Sequence, residues 1–327
     1  MTFVPLPDQQ PRRLSFYLAL EEYLARHRND GDEDLFLMWQ VGPSVIFGRN
    51  QLIENEVNVD YCRAHGIATY RRKSGGGCVY ADMGNVMLAY ITRSDNVQFT
   101  YHRYIQLLLL VLREMGVEAT TSGRNDVLID GRKVSGNAFY HIPGHAIVHG
   151  TLLYDTTMEN MVGAITPSTA KLESKGVDSV RQRIALLKDY TTLSLAEVMA
   201  AIRRRLCDRE LLLTATDVDA IELLERDYLD DEFVYGRNPS YSVIRSGRIE
   251  GVGDLEVRLE VKNDVIRSAN IMGDFFVVGD IDGQLLHPLR GCPLKAQALR
   301  AALPPELTGV ILNLHTEDLI NILTEND

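Results

Sequence analysis

Three consecutive glycines, Gly75-Gly76-Gly77, lie between two stretches that read as strands, residues 67–72 and 86–91. Arg71-Arg72-Lys73-Ser74 precede them, and Cys78-Val79-Tyr80-Ala81-Asp82-Met83-Gly84-Asn85 follow. A tight hairpin needs only one or two glycines. Glycines also let backbone N–H groups approach an anion and adopt positive φ, and arginines offer rigid forked donors. The combination predicts a strand-borne pocket for a phosphorylated or carboxylated ligand. A plain hairpin loop with incidental arginines suits the glycines equally well. The P-loop pattern GxxxxGK[ST] is absent, and a strand rather than a helix is predicted to follow, which argues against a dinucleotide fingerprint.

A second constellation runs from Gly123 to Ala138, GRNDVLIDGRKVSGNA. Asp130-Gly131 predicts a type I′ hairpin joining a strand at 127–129 to one starting near Lys133. Small residues at Ser135, Gly136 and Ala138 leave room for a ligand beside that lysine. Taken alone, Lys133 also fits an edge-strand lysine that deters aggregation. His149-Gly150-Thr151-Leu152-Leu153 predicts a strand with a polar opening. Residues 171–183, KLESKGVDSVRQR, read as a basic, glycine-interrupted loop that contains Lys175 and Val180.

RRKSGGGCVYADMGN, GRNDVLIDGRKVSGNAF, HGTLLYD and KLESKGVDSVRQR occur here in the order and spacing of one family. In these motifs the chain resembles the lipoate–protein ligases of the biotin and lipoate ligase superfamily. The likeness covers roughly residues 14–187. It extends more weakly to Asn238-Pro239-Ser240-Tyr241 and Gly273-Asp274-Phe275-Phe276, which resemble the family's accessory domain. The biotin ligase signature GRGRxGR is not found.

The resemblance implies an α+β fold. A mixed β-sheet catalytic domain of the biotin/lipoate ligase type would span residues 1–238, and a smaller C-terminal α+β domain residues 239–327. It implies ATP-dependent activation of lipoate to lipoyl-AMP, with Mg²⁺, followed by transfer to a protein lysine. By motif position Lys133 would be the catalytic group. Arg72, Gly75, Gly76, Gly77, Cys78, Val79 and Tyr80 would line the lipoate and nucleotide pocket, with Ser135 and Gly136 beside Lys133. His149 would flank the acyl chain. Asn85 and Asp126 would face the phosphates and Mg²⁺. Lys175 and Val180 would belong to a loop closing over the adenylate. Cys78, Ala81 and Val148 depart from the residues common in the family. Cys78 therefore opens an alternative, an octanoyl or lipoyl transferase working through a thioester. A non-catalytic binder of lipoylated carrier domains is a third reading. The implied acceptors are lipoyl domains of 2-oxoacid dehydrogenase complexes and the glycine-cleavage H protein.

The whole chain narrows these readings. It has 327 residues, 45% hydrophobic and 24% charged, with a formal net charge of −11. That charge argues against general nucleic-acid affinity. Cys62, Cys78, Cys207 and Cys292 form no C-x-x-C pair, which argues against structural zinc and fits free thiols in a reducing cytosol. No apolar run reaches membrane-spanning length. A cytoplasmic, monomeric enzyme is the expectation.

Periodicity predicts helices at 14–27, 59–65, 99–115, 194–206, 218–228, 295–303 and 317–324, with Gly116 ending the third and a Ser194–Glu197 capping box opening the fourth. Strands are predicted at 35–41, 44–47, 146–154, 241–249, 255–261 and 265–271. Gly42-Pro43 reads as a turn between the first two of these. The acidic, irregular stretch 229–238 marks the domain boundary.

Overall fold

The structure, a computed structural model, describes residues 1–8, 12–28, 33–94, 96–122, 125–165, 183–236 and 241–324. Lys175 and Val180, the segment 166–182 that holds them, and Asn238 lie outside the described residues. The chain forms two compact units. One comprises Met1–Phe47, Ile53–Arg72 and Cys78–Val234; the other comprises Gly48–Leu52, Lys73–Gly77 and Tyr235–Asp327. The glycine loop thus clusters with the C-terminal unit.

In the first unit an eight-stranded mixed sheet runs through β1 (Thr2–Phe3), β2 (Leu35–Trp39), β6 (Asn85–Arg93), β7 (Thr120–Thr121), β8 (Asp126–Ile129), β9 (Arg132–Ile142), β10 (His145–Leu153) and β11 (Arg209–Glu210). Their spatial order is β11-β1-β2-β6-β10-β9-β8-β7. A smaller sheet holds β3 (Ser44–Phe47) between β4 (Ala68–Arg71) and β5 (Val79–Ala81), and the short helix α2 (Val59–Ala64) leads into β4. Gly42-Pro43 therefore does not close a hairpin: β2 pairs with β1 and β6, whereas β3 pairs with β4 and β5. Both strands are buried along their whole length, so the turn carries the chain from one sheet to the other.

Helix α1 (Leu14–His27) packs on one face of the large sheet, and helix α5 (Ala215–Leu229) packs against α1. Leu14, Tyr17, Leu20 and Leu24 of α1 join Leu35, Leu37, Trp39, Ala89 and Ile91 in one core, with Ile221 and Tyr228 of α5. The other face meets α3 (Val97–Glu114), whose Tyr101, Tyr104, Ile105 and Leu108 are buried. Gly116 ends α3 at φ 79°, a left-handed position that suits glycine. The hairpin between β8 and β9 turns at Asp130 and Gly131, both with positive φ, as a type I′ turn requires.

In the second unit β12 (Val243–Ile249), β13 (Gly253–Lys262) and β14 (Val265–Gly273) form an antiparallel sheet. Its core includes Leu255, Val257, Ile271 and Phe275, with Leu299 of α6 (Ala296–Ala302) and Leu319 and Ile320 of α7 (Thr316–Thr324). The fold class is α+β.

Helix α4 (Leu195–Leu206) opens with a capping box. Ser194 accepts from the Glu197 N–H, and Glu197 accepts from the Ser194 N–H. Ser194→Ala is expected to cost about 1 kcal/mol, read as a lower urea midpoint at unchanged slope.

Candidate active site

The register of the large sheet sorts the candidate residues by face. Asp126, Gly136, Thr151, Met87 and Trp39 lie opposite one another in a row across β8, β9, β10, β6 and β2. The next row on the same face is Ala138, His149, Ala89 and Leu37. The rows are about 7 Å apart, two residues along a strand. Gly136, Ala138 and Ala89 keep this part of the face low.

Strict alternation from Gly136 would put Lys133 on the opposite face. A register shift prevents this: Val127 pairs with Ser135, but Leu128 pairs with Lys133, leaving Val134 as an extra residue. Such a bulge re-aims the side chains beyond it, and Lys133 turns to the face of Asp126 and Gly136. Its Nζ lies 2.8 Å from Asp126 Oδ1, in an ion pair with poor hydrogen-bond geometry. The lysine arm passes directly over Gly136. A Cβ there would sit 2.6 Å from Lys133 Cε and 2.7 Å from Nζ. The ammonium arm remains 36% exposed. The Lys133 backbone is fixed on its far side, with its N–H donating to Arg183 O at 2.7 Å and its carbonyl accepting from Ala185 N at 2.8 Å.

One row further along, His149 Nδ1 lies 2.7 Å from Glu21 Oε2 of α1. Both groups are buried, and Glu21 Oε1 has no hydrogen-bond partner. Burial raises the Glu21 carboxyl above its ordinary value, against the pull of His149. Sequence reasoning missed Glu21. On an amphipathic helix an acid reads as a solvated residue, and only the sheet packed beneath α1 makes it a buried one.

Asn85 lies on the same face, paired with Leu153. Its Nδ2 donates to Thr156 Oγ1 at 3.1 Å, while its Oδ1 is buried with no donor. Ser135 points the other way. It is fully buried on the α3 side and donates to Asn137 Oδ1 at 3.3 Å. The small side chain therefore serves packing behind the sheet and leaves no room beside Lys133.

The residues around the glycine loop divide as well. Val79 pairs with Ile46, on the face of the small sheet shared by Ala81, and Ile46 and Ala81 belong to the core beneath α1. Tyr80 faces the opposite way, into a second cluster with Val45, Phe47, Cys62 and Met161. Arg72 is buried, donates from Nη1 to Ile46 O at 3.1 Å, and burial lowers its guanidinium to about 10. Burial also raises the Cys78 thiol, with Glu56 adding to the rise and Arg72 opposing it. A thiol held protonated is a poor nucleophile, which disfavours acyl transfer through Cys78.

The glycine loop in this structure does not form an open anion cradle. The Gly76 N–H donates to Phe275 O at 3.0 Å. A Cβ on Gly75 would lie 2.4 Å from the same oxygen. Gly77 is looser, with Asp274 Oδ2 4.0 Å from its Cβ position. Close packing on residues 274–276 accounts for Gly75, and a positive φ of 85° accounts for Gly76. The neighbouring loop is tied in likewise, as Gly273 N donates to Asn50 O at 2.8 Å.

Among the described residues no group of three or more His, Cys, Asp or Glu side chains is arranged to hold a metal. No helix among them is long and apolar enough to cross a membrane.

Folding raises the Glu21 carboxyl value, so this group favours the folded state only while protonated. Stability relative to Glu21→Gln is therefore expected to fall as pH rises through and above the ordinary carboxylate range. Urea unfolding of both proteins at acid and neutral pH checks this; a pH-independent difference would contradict it.

Comparison with known proteins supplies the family. The profile described as Lipoyl protein ligase A/B catalytic domain matches residues 14–207, and Bacterial lipoate protein ligase C-terminus matches residues 238–323. The chain is 33% identical over 322 residues to lipoate-protein ligase LplJ of Bacillus subtilis (strain 168), covering 94% of this chain and 95% of that one. It is 36% identical over 283 residues to lipoate–protein ligase 1 of Staphylococcus aureus (strain Mu50), covering 84% and 85%. Among solved structures, P. falciparum LipL1 in complex with lipoate shares the fold with a TM-score of 0.76 at 21% identity, covering 92% and 93%. A bi-partite lipoate protein ligase of Thermoplasma acidophilum, described with its E2 lipoyl domain, gives a TM-score of 0.66 at 26% identity, covering 74% and 98%. With both profiles matched in order and relatives of this identity spanning nearly its whole length, the chain belongs to the lipoate–protein ligase family.

Proposed function

We propose that the protein activates lipoate with ATP to lipoyl-AMP, releases pyrophosphate, and transfers the lipoyl group to a lysine of an acceptor domain. The observation that carries the site assignment is the half-exposed Lys133 ammonium lying over Gly136 beside Asp126. The lipoate carboxylate attacks the α-phosphorus and pyrophosphate leaves. The acceptor amine then attacks the acyl carbon and AMP leaves. Negative charge grows on phosphate oxygens in the first step and on the acyl oxygen in the second. A fixed ammonium between them stabilises both. Lys133 takes that role once its partner changes from Asp126 to the substrates.

The acyl chain runs from Lys133 over Gly136 and Ala138 toward His149, so that Glu21 and His149 close the far end. Val79 contributes to the wall and Arg72 braces it. Asn85 Oδ1 and Asp126 are oxygen donors of the kind Mg²⁺ takes. Bound Mg²⁺ neutralises phosphate charge. For Gly75, Gly76 and Gly77 a role toward the nucleotide rests on the motif resemblance alone. Lys175 and Val180 complete the adenylate side.

The acceptors we propose are lipoyl domains of 2-oxoacid dehydrogenase complexes and the glycine-cleavage H protein, met by a cytosolic monomer. The names of the relatives and the acceptor domain described with the archaeal ligase support this reading.

Two outcomes follow. Lys133→Ala is expected to abolish lipoate-dependent ATP–pyrophosphate exchange, whereas Cys78→Ala retains it; the reverse pattern would restore the thioester route. Gly136→Ala is expected to fold with little loss of stability, because the flexible lysine end can move aside. It should nevertheless lose roughly 100-fold in exchange rate, since a displacement of about 1 Å has that scale of effect. Mass spectrometry of an acceptor domain after incubation with ATP, Mg²⁺ and lipoate reads the second step.

A further inference from the structure

We infer that Asn137 is the positioning residue that sets Asp126, and through it the resting place of the Lys133 ammonium; this rests on the site reading above. Asn137 is buried on the sheet face opposite Lys133, so its side chain is not placed to touch a substrate lying over Gly136. Its backbone N–H and its Nδ2 both donate to the Asn125 carbonyl, at 3.0 and 3.1 Å. Asn125 Nδ2 returns a bond to the Asn137 carbonyl at 3.1 Å.

That Asn125 carbonyl belongs to the peptide that leads into Asp126. The N–H of the same peptide, on Asp126, donates to Ser122 Oγ at 3.2 Å. Ser122 N in turn donates to Asp126 O at 3.0 Å. The peptide plane before Asp126 is thus gripped on its oxygen by Asn137 and on its nitrogen by Ser122. With the peptide before it held and its own carbonyl accepting from Ser122 N, Asp126 is constrained on both sides of its Cα, and this fixes the Cα–Cβ direction of the carboxylate that meets Lys133 Nζ.

Gly150 shows how closely this clamp is built. A Cβ on Gly150 would lie 2.1 Å from Asn137 Oδ1 and 2.8 Å from Gly136 O. The glycine in His149-Gly150-Thr151 therefore makes space for the Asn137 amide, an independent sign that the amide is locked in one place. Ser135 Oγ completes the lock by donating to Asn137 Oδ1.

The test is a double-mutant cycle read as kcat and KM for lipoate in ATP–pyrophosphate exchange, using Asn137→Ala, Asp126→Ala and the double variant of the full chain. Asn137→Ala is expected to lower kcat by roughly 10- to 100-fold, with KM for lipoate nearly unchanged. In the Asp126→Ala background the same substitution should cost almost nothing more, because it acts through Asp126. Independent losses that multiply, or an unchanged kcat in Asn137→Ala, would overturn the inference while leaving the site reading intact. An Asp126→Ala protein with full activity would instead overturn the site reading, and the inference with it. Should Asn137→Ala fail to fold, Asn137→Asp is put through the same cycle. It keeps the side-chain shape but sets an oxygen against the Asn125 carbonyl, and the same coupling is expected.

Discussion

The ammonium of Lys133, laid across a glycine and set against one carboxylate, is the arrangement on which the proposed site depends. It exists because β9 contains one residue more than its partner strand at Val134. Without that bulge the lysine would point toward the α3 side of the sheet. The contact with Asp126 is partly exposed on both sides, and pairs of this kind contribute only about 0–1 kcal/mol. Weakness suits the role. In the proposed reaction a strongly held lysine would resist transfer to a substrate phosphate or carbonyl, whereas a weakly paired one is released at little cost.

The pair of His149 and Glu21 is of a different kind. Both are buried beneath α1, and one carboxylate oxygen has no donor. Burying such groups costs free energy unless they are matched. The same helix places Glu22 under Tyr228, whose hydroxyl donates to it at 2.7 Å. The polar side chains of α1 thus enter the core where the sheet face carries its candidate site residues, while its leucines hold the helix down.

Much of this fold was legible in residue order. Asp130-Gly131 announced its hairpin because few other residues accept two successive positive φ values. Ser194 with Glu197, and Gly116 after a leucine-rich run, marked helix ends through local hydrogen bonding. Three things were not legible, each decided by residues far away in sequence. Gly42-Pro43 reads as a turn between two strands, yet nothing local tells that β2 and β3 pair with different neighbours in different sheets. Gly75 and Gly76 read as anion donors, yet the Phe275 carbonyl occupies their approach. Ser135 reads as space beside Lys133, yet the bulge puts the two on opposite faces. Capping at Thr214 and Asp217 escaped notice too, since Asp rather than Glu closes that box. The family resemblance pointed to segments of the chain, and only the register showed which side chains share a face.

In the proposed reaction Lys133 exchanges Asp126 for substrate on one face of the sheet. A crystal structure with a non-hydrolysable lipoyl-adenylate analogue tests it most directly. The expected result places Lys133 Nζ within hydrogen-bond reach of both the acyl oxygen and the phosphate-mimicking group, above Gly136, with the acyl chain directed toward His149. An analogue bound elsewhere, with the ammonium still on Asp126, would contradict it.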